Sequence, residues 1–504
     1  MGRTMMQKQN HGRARMVGGA LTALLLLTAC AEEQVYLPGK REPVRSILQD
    51  PELAAPLEGE EKGPNTSRAI ALGGTSNNAS WSHGIGTPQY RTTHPALRAT
   101  VQPIWSVDIG AGDSRKQRIT ADPVVAGGRI FTLDADARVT AVSTSGETLW
   151  TRDLTPVTDR AGQGTGGGLA VDGQTLYVSI GYGVLAALDV TTGGERWTQK
   201  LEASGSGTPT VYGDLVYVTS GDDTGWALDK GTGRIEWQVG GSSSVNNVLG
   251  APAPAVTDKF VIFAYGTGEV QGVFRRGGLP RWDASVVGKR PGRALSSVSD
   301  VTSGPVVSGS SVYVGNQSGR LAALNVESGQ RLWTARDGAI GPVWPIGDSV
   351  FAITELNELV RLDAGDGSRI WGIPLPNFVK DKPRRQSEVV AHHGPIVAGG
   401  RVIIASNDGL LRSFDPTNGS LTGTVEIPGG ATTAPVVVAA PSMWSPPRGN
   451  CTPTANGLKR EVQGPHRPCR SLVNHVLYPC HRWPSQCRQI HAVQPPCRQT
   501  PRTG

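Results

Sequence analysis

The segment CHRWPSQCRQIHAVQPPC, residues 480–497, holds three cysteines and two histidines within eighteen residues. Thiolate sulfur and imidazole nitrogen are ligands that zinc prefers in proteins, so this composition suggests a structural metal site. Structural zinc sites usually draw on closely spaced C-x-x-C-type pairs, whereas Cys480, Cys487 and Cys497 form no such pair. The spacing therefore gives a zinc site little support.

The other cysteines are just as unevenly placed. Cys30 stands alone near the N-terminus, and Cys451 and Cys469 lie in the C-terminal segment. The 420 residues between Cys30 and Cys451 contain none. This distribution excludes a disulfide framework and a thiolate metal site from the centre of the chain. We predict no metal site, no cofactor and no catalytic residue.

Composition favours a turn-rich β protein, because 66 of the 504 residues are glycine and only 18% are charged. The formal net charge is +7, but residues 441–504 hold nine basic residues against one acidic residue, and residues 1–29 hold four basic residues and no acid. The remainder, residues 30–440, carries a net charge of −5. A nucleic-acid partner is therefore not expected, since phosphates require a basic surface.

Residues 1–29 have the features of a secretory signal. Four basic residues precede an apolar stretch that ends in LTAC, and this stretch is too short to span a bilayer as a stable helix. LTAC resembles the bacterial lipobox, after which the cysteine becomes the acylated mature N-terminus. The resemblance implies that Cys30 carries lipid such as palmitate. Because Ala31 is not the aspartate that retains lipoproteins in the inner membrane, it also implies the periplasmic face of the outer membrane.

Residues 30–100 are polar and rich in Pro, Gly, Ser and Asn, as in GGTSNNASWSHGIGTPQY at 73–90. Such a composition buries too little apolar surface to build a core of its own. The sequence therefore predicts a flexible, disordered periplasmic tether between the lipid anchor and a domain that begins near residue 101.

Residues 102–425 contain an internal repeat, as in GQTLYVSIGYGVLAALDVTTGGERW at 173–197 and GSSVYVGNQSGRLAALNVESGQRLW at 309–333. Each unit has an alternating strand, a glycine turn, a second strand, a TG-type turn and a strand with tryptophan, and a further strand such as SGPVV precedes several units. Four strands at this period predict a β-propeller blade. Tryptophans recur 38 to 51 residues apart at Trp150, Trp197, Trp237, Trp282, Trp333 and Trp371.

The segment PIWSVDIG contains the tryptophan strand alone, with Trp105 in the repeat position. Such an orphan strand closes a propeller by pairing with the C-terminal strands, which removes two open sheet edges. Seven complete units and one split blade predict an all-β, eight-bladed propeller over residues 101–440. We interpret the seven tryptophans as structural residues that pack between blades.

The repeat resembles the PQQ-like propeller repeat over residues 102–440. With the lipobox and the polar segment, the chain resembles the BamB family, the propeller lipoproteins of the outer-membrane β-barrel assembly (BAM) complex. The resemblance implies a scaffold without enzymatic activity. It implies binding to the POTRA domains of the central, BamA-type barrel protein, contact with other assembly lipoproteins, and assistance to unfolded outer-membrane proteins during insertion.

The resemblance also implies that two connecting loops bind the partner. Asp300 in LSSVSDVTSGPVV falls on an acidic position of the family's loop, whereas Thr302 replaces the family's next acid. Val248 and Leu249 in SSSVNNVLGAPAP lie near the position where the family presents apolar residues, although the family's arginine is absent. Function carried on loops of a rigid scaffold fits this assignment.

Two other functions stay open. A quinoprotein dehydrogenase would hold pyrroloquinoline quinone and Ca²⁺ over the propeller axis, but the vicinal disulfide of that family needs adjacent cysteines, which this sequence lacks. The other is a periplasmic propeller that binds a carbohydrate or a peptide and takes no part in barrel assembly.

The repeat stops after TTAPVVVAA, where a final strand-turn-strand should begin. Permitted codons for residues 438–456, translated from the third base, give GGTLYVVTAAGQLHAYR and a stop, which follows the pattern of GGRVIIASNDGLLRSFD at 399–415. Codons from His475 onward, translated from the second base, give the P-loop GRPNVGKS and resemble the start of a ribosome-assembly GTPase. We interpret residues 441–504 as a disordered, out-of-frame tail, either a real allele or a sequencing error, and predict an incomplete last blade.

Overall fold

The structure is a computed structural model, and it describes residues 63–91, 94–114, 116–205, 207–242, 251–286, 301–380, 382–440, 474–478 and 489–494. Within these ranges the regular elements are β-strands, apart from one 3-10 helix at Pro383–Arg385. The predicted signal and Cys30 lie outside them. No helix in these ranges is long and apolar enough to span a membrane.

The strands form eight antiparallel sheets of four strands each, which are the blades of a propeller. Blades 1 to 4 are β2 (Val124–Ala126), β3 (Arg129–Leu133), β4 (Arg138–Ser143), β5 (Thr148–Asp153); β6 (Gly167–Asp172), β7 (Thr175–Ile180), β8 (Val184–Asp189), β9 (Glu195–Lys200); β10 (Thr210–Tyr212), β11 (Leu215–Thr219), β12 (Thr224–Asp229), β13 (Ile235–Gly240); and β14 (Ala255–Val256), β15 (Phe260–Ala264), β16 (Glu269–Phe274), β17 (Pro280–Ser285). Blades 5 to 8 are β18 (Ser303–Ser308), β19 (Ser311–Asn316), β20 (Arg320–Asn325), β21 (Arg331–Ala335); β22 (Trp344–Ile346), β23 (Ser349–Ile353), β24 (Glu358–Asp363), β25 (Arg369–Pro374); β26 (His392–Ala398), β27 (Arg401–Ser406), β28 (Leu410–Phe414), β29 (Leu421–Glu426); and β30 (Val436–Ala440), β31 (Asn474–Tyr478), β32 (Gln489–Gln494), β1 (Gln102–Asp108).

The burial of each strand reflects its position in the blade, from the axis to the outer rim. The first strands of consecutive blades, from blade 1 to blade 7, contact one another and so surround the axis. Second strands such as β7 are buried along their whole length, because each packs against blades on both of its faces. Fourth strands such as β9 are largely exposed and form the outer rim. The predicted class, an all-β, eight-bladed propeller, is confirmed.

Repeat tryptophans on the fourth strands of blades 1 to 6 and of blade 8 pack against the next blade. The indole N–H of Trp150 donates to the carbonyl oxygen of Val190 in the next blade at 3.1 Å. The ring of Trp150 packs on Phe131 of its own second strand, with centroids 5.9 Å apart. The turn glycine of the next blade, Gly193 (φ 69°), lies so near that a Cβ would stand 2.6 Å from the indole. The same donation to the next blade occurs at Trp105, Trp197, Trp282, Trp333 and Trp371.

Blade 8 is composite. Its strands, from the axis outward, are β30, β31, β32 and β1, and Trp105 of β1 pairs with Ala492 of β32. The predicted incomplete last blade is therefore wrong, because two segments of the C-terminal tail supply the missing strands. Their pairing satisfies the open edges that β1 and β30 would otherwise present. β31 and β32 pair with each other at a single position, Leu477 with Val493.

The N-terminal stretch from residue 63 is folded against the propeller, so the predicted flexible tether over 30–100 is wrong from residue 63 onward; residues 30–62 lie outside the description. Its polar groups bond to the blades, and three of its large apolar side chains, Trp81, Ile85 and Leu97, are buried. We call residues 63–100 the N-terminal circuit, because they pass once around the axis.

Candidate functional site

Topology assigns the connections between strands to two opposite faces. Connections from second to third strands, and from each fourth strand to the first strand of the next blade, lie at one face. We call it the cavity face. The turns from first to second and from third to fourth strands lie at the other, which we call the circuit face because the N-terminal circuit runs there.

The cavity face contains a cavity of about 430 Å³. Every residue that lines it belongs to one of the connections just described, from the connection between blades 1 and 2 round to that between blades 5 and 6. The lining is thus formed by the same two kinds of connection, repeated in successive blades. Representative lining residues are Thr165, Gly181, Ser220, Asp223, Gly266 and Gln317.

The described lining of this cavity is polar and carries little charge. Among the described residues of its lining, Asp223 is the only charged one, and its Oδ1 accepts a hydrogen bond from the Gly266 N–H at 3.0 Å. The other polar lining residues are Ser, Thr and Gln, which suit neutral polar groups. Nucleophilic catalysis needs a nucleophile beside a base, and Asp223 supplies the one carboxylate among the described lining residues. Within the described ranges, no cluster of three or more His, Cys, Asp or Glu could hold a metal.

The N-terminal circuit follows the circuit face from blade to blade. It starts beside the rim of blade 6, where the Thr66 N–H donates to Ile370 O at 2.9 Å. Backbone hydrogen bonds then join it to blades 7, 8, 1, 2 and 4 and again to blade 7, in that order, beginning with the Arg68 N–H to Thr417 O. Side chains add contacts to blades 3 and 6. The backbone contacts are made by Asn78, Trp81, Ser82, Pro88 and Pro95, and the side-chain contacts by His83 and Arg91.

Trp81 closes the axis at this face. It is fully buried and exchanges two backbone hydrogen bonds of 2.8 Å with Val125 of blade 1. Its indole stacks on Trp344 of blade 6, with centroids 6.4 Å apart and planes inclined by 30°. Because one side chain connects blades from separate parts of the ring, the axis is filled here.

Buried histidine in the circuit is held neutral. His83 Nε2 accepts the Val211 N–H at 3.0 Å, so Nδ1 carries the proton and donates to Ser82 Oγ at 2.8 Å. Burial lowers the pKa of His83 to about 4, although the charge of Asp172 acts in the opposite direction. His83 thus serves as a neutral acceptor for an inner strand.

Two charged groups, the buried Arg91 and the partly buried Asp122, interact with each other electrostatically. The Arg91 Nη2 donates to Pro342 O at 2.6 Å and its guanidinium lies over Trp344 at 5.1 Å; burial lowers the pKa of Arg91 to about 10. Burial also raises the pKa of Asp122 to about 6, although the Ala434 N–H and the charge of Arg91 favour its carboxylate. These groups belong to the packing of the circuit.

The predicted partner residues Val248, Leu249 and Asp300 lie outside the described residues. The residues that follow them are described, and both pairs line the cavity: Ala251 and Pro252, and Val301 and Thr302. Thr302 Oγ1 donates to Ala339 O at 3.2 Å, which fixes this end of its loop. Both loops therefore end at the rim of the cavity.

Sequence reasoning did not find the cavity or the circuit. The glycines of the connections were a usable signal for the cavity, since a Cβ on Gly181 would stand 2.2 Å from Thr165 O. For the circuit, the signal was an isolated apolar residue, Trp81, within a polar segment.

Comparison with known proteins gives one family. The family described as outer membrane protein assembly factor BamB matches residues 135–373. The outer membrane protein assembly factor BamB of Shewanella oneidensis is 23% identical over 356 residues, which cover 68% of this chain and 86% of that protein.

Solved structures share the fold. The crystal structure of BamB from Moraxella catarrhalis matches with a TM-score of 0.56 at 17% identity, over 79% of this chain and 98% of that one. Quinohemoprotein alcohol dehydrogenase from Comamonas testosteroni matches with a TM-score of 0.59 at 12% identity, over 85% of this chain and 82% of that one. At these identities the structural matches concern the propeller architecture alone.

Proposed function

We propose a function from one premise: this chain belongs to the BamB family of outer membrane protein assembly factors. It is a periplasmic scaffold of the β-barrel assembly machinery. It binds the POTRA domains of the central, BamA-type barrel protein, works beside other assembly lipoproteins, and assists the folding and insertion of outer-membrane proteins. The observation that carries the proposal is that both predicted partner loops end at the rim of one face.

The scaffold is held at the periplasmic face of the outer membrane by lipid on Cys30. The polar residues after Cys30 and the start of the circuit at residue 63 are consistent with a short spacer. A Cys30→Ser chain should move from the membrane fraction to the soluble periplasmic fraction, whereas Cys451→Ser should remain in the membrane fraction. Retention of the Cys30→Ser chain in the membrane by itself would contradict lipid anchoring.

A dehydrogenase is disfavoured by the cavity. Quinone chemistry on the axis would use carboxylate ligands to Ca²⁺ and a free catalytic carboxylate. The part of the lining that the structure describes supplies one carboxylate, Asp223, and one of its oxygens is already bonded to the Gly266 N–H. The residues present do not fit that cofactor, so we propose a non-enzymatic protein.

Co-purification tests the proposal. From detergent-solubilised outer membranes, the wild-type chain should recover the central barrel protein, and Asp300→Arg should recover at least about tenfold less, the effect of a repulsive charge in an interface. Glu147→Arg, an exposed position on the circuit face, is the matched control and should behave as wild type. Failure of the wild-type chain to recover the barrel would refute the scaffold.

A binding function without barrel assembly is the second candidate, and the cavity favours it. Its volume of about 430 Å³ falls within the usual range for small-ligand sites. A neutral oligosaccharide or peptide that raises the thermal midpoint of the wild-type chain, combined with no recovery of the barrel protein, would select this candidate.

A further inference from the structure

The connection between blades 6 and 7 is a long, structured excursion on the cavity face. β25 ends at Pro374 and β26 starts at His392, which leaves 17 residues between them. Most connections in compact domains have about 4–6 residues, and longer ones with internal structure commonly carry function. We call residues 377–390 the basic hairpin.

The base of the basic hairpin is fixed. The Val379 N–H donates to Glu388 O and the Val390 N–H to Asn377 O, each at 3.0 Å. Below them, the buried His392 joins Pro376 O at 2.9 Å and Ser406 Oγ at 2.7 Å through its two ring nitrogens. Two asparagine side chains also donate to this base, Asn357 to Val390 O and Asn407 to Val389 O. The blades therefore hold the hairpin in one position.

The surface of the basic hairpin combines positive charge with apolar area. Four cationic residues within six positions are exposed: Lys380, Lys382, Arg384 and Arg385. Three apolar residues on the two arms are exposed by 38%, 41% and 56%: Phe378, Val379 and Val389. The hairpin also contains Asp381 and Glu388, so residues 377–390 carry a net charge of +2, whereas residues 30–440 as a whole are net negative. Half-exposed apolar side chains ringed by charge are typical of a protein-binding surface.

We propose that the basic hairpin is a docking element for an acidic, partly apolar surface on the periplasmic domains of the assembly partner. The inference rests on the proposed function, because the hairpin shares the cavity face with the two partner loops. Charge complementarity selects an acidic surface, and Phe378 and Val389 supply the contact that loses water.

A lipid surface is the less suitable occupant. Basic clusters of this size do bind anionic headgroups. However, the first described residues of the N-terminal circuit lie at the other face, where Arg68 forms ion pairs of 2.8 and 2.7 Å with Asp348 and Asp363. The basic hairpin and the start of the N-terminal circuit are thus at opposite faces.

Association kinetics test the basic hairpin. The probe is the purified soluble POTRA fragment of the barrel protein from the same organism, and the full chain is used throughout. Peripheral charges act mainly on the association rate and its salt dependence. Lys380→Glu/Arg384→Glu should lower the association rate at least about fivefold at low salt and remove most of the salt dependence. Phe378→Ser should instead raise the dissociation rate.

Arg234→Glu/Arg276→Glu is the matched control, because it makes the same charge change at exposed turns of the circuit face. It should stay within about twofold of wild type, and thermal unfolding should show that all variants fold. If wild type binds and the hairpin variant binds equally well, the inference is overturned while the proposed function stands. If wild type does not bind the fragment, both fail. If the hairpin variant loses binding to phosphatidylglycerol vesicles but binds the fragment as wild type does, the docking inference is overturned in favour of a lipid partner.

Discussion

Trp81 of the N-terminal circuit stacks on Trp344 of blade 6 while its backbone pairs with Val125 of blade 1. The central axis of the ring is thus filled by a residue that belongs to no blade. Arg91, also from the circuit, lies over the same Trp344 ring at 5.1 Å. A segment of polar composition therefore supplies the apolar centre of the circuit face.

Trp81→Ala should destabilise the fold strongly. The side chain is fully buried, and removal of a buried tryptophan costs about 3–5 kcal/mol through lost burial and the cavity left behind. Leu149→Ala, at an outer-strand residue that is 41% exposed, is the control and should cost less than about 1 kcal/mol. Urea unfolding of the two variants measures the difference. Equal losses would mean that the circuit does not stabilise the ring.

Gly329→Ala tests the contact between turn glycines and tryptophans. Gly329 has φ 69°, and a Cβ there would stand 2.6 Å from Trp282. Gly309 has φ 61° with nothing within 4 Å, so Gly309→Ala carries the backbone strain alone, about 1 kcal/mol. We expect Gly329→Ala to cost about 1–3 kcal/mol more than this control. Equal free energies of unfolding would show that the indole yields without cost.

Stability should fall as pH decreases from about 6.5 towards 4. Burial lowers the pKa values of His83 and His393 from 6.5 to about 4 in the folded state, so the unfolded chain binds their protons first. Their contribution is complete above pH 6.5 and is lost as pH falls. Asp122 acts in the opposite sense below pH 6, because its pKa is raised to about 6 from 3.8.

For His83, His393 and Asp122 taken together, the net effect is about one proton, or about 1.4 kcal/mol per pH unit at most. His83→Gln removes one of these groups and keeps an acceptor for the Val211 N–H, so its free energy of unfolding should depend less steeply on pH than that of wild type. Denaturant unfolding at pH 7.5, 6, 5 and 4.5 compares the two slopes. Parallel slopes would show that His83 does not titrate with unfolding.

The C-terminal sequence can be tested by exchange. A chain in which residues after Ala440 are replaced by the alternative-frame half-blade should unfold at a higher temperature than the chain as written. The reason is that β31 and β32 pair at one position, whereas the replacement restores an alternating strand-turn-strand. A chain that ends at Ala440 should be the least stable, since β1 and β30 then lack partners. An equal midpoint for the first two chains would contradict the out-of-frame interpretation, and resequencing of the DNA would examine it independently.

The sequence by itself determined the blades. Strand pairs within a blade lie close along the chain, so alternation, turn glycines and the tryptophan period record the contacts directly. Trp150 and Gly193, about one repeat apart in the sequence, mark both the blade and the contact between that blade and the next one. Eight blades, and closure through the strand of Trp105, could be counted without coordinates.

Only the tertiary structure decided how the axis and the last blade are completed. The Gly400 N–H donates to His94 Nε2 across 306 residues of sequence, and no periodic pattern records such a contact. Free edges of inner strands, and of β1 and β30, offer backbone groups that any adjacent segment can satisfy. Because backbone hydrogen bonds do not depend on side-chain type, polar residues such as Asn78 and Ser82 could become part of the fold without a signal in composition.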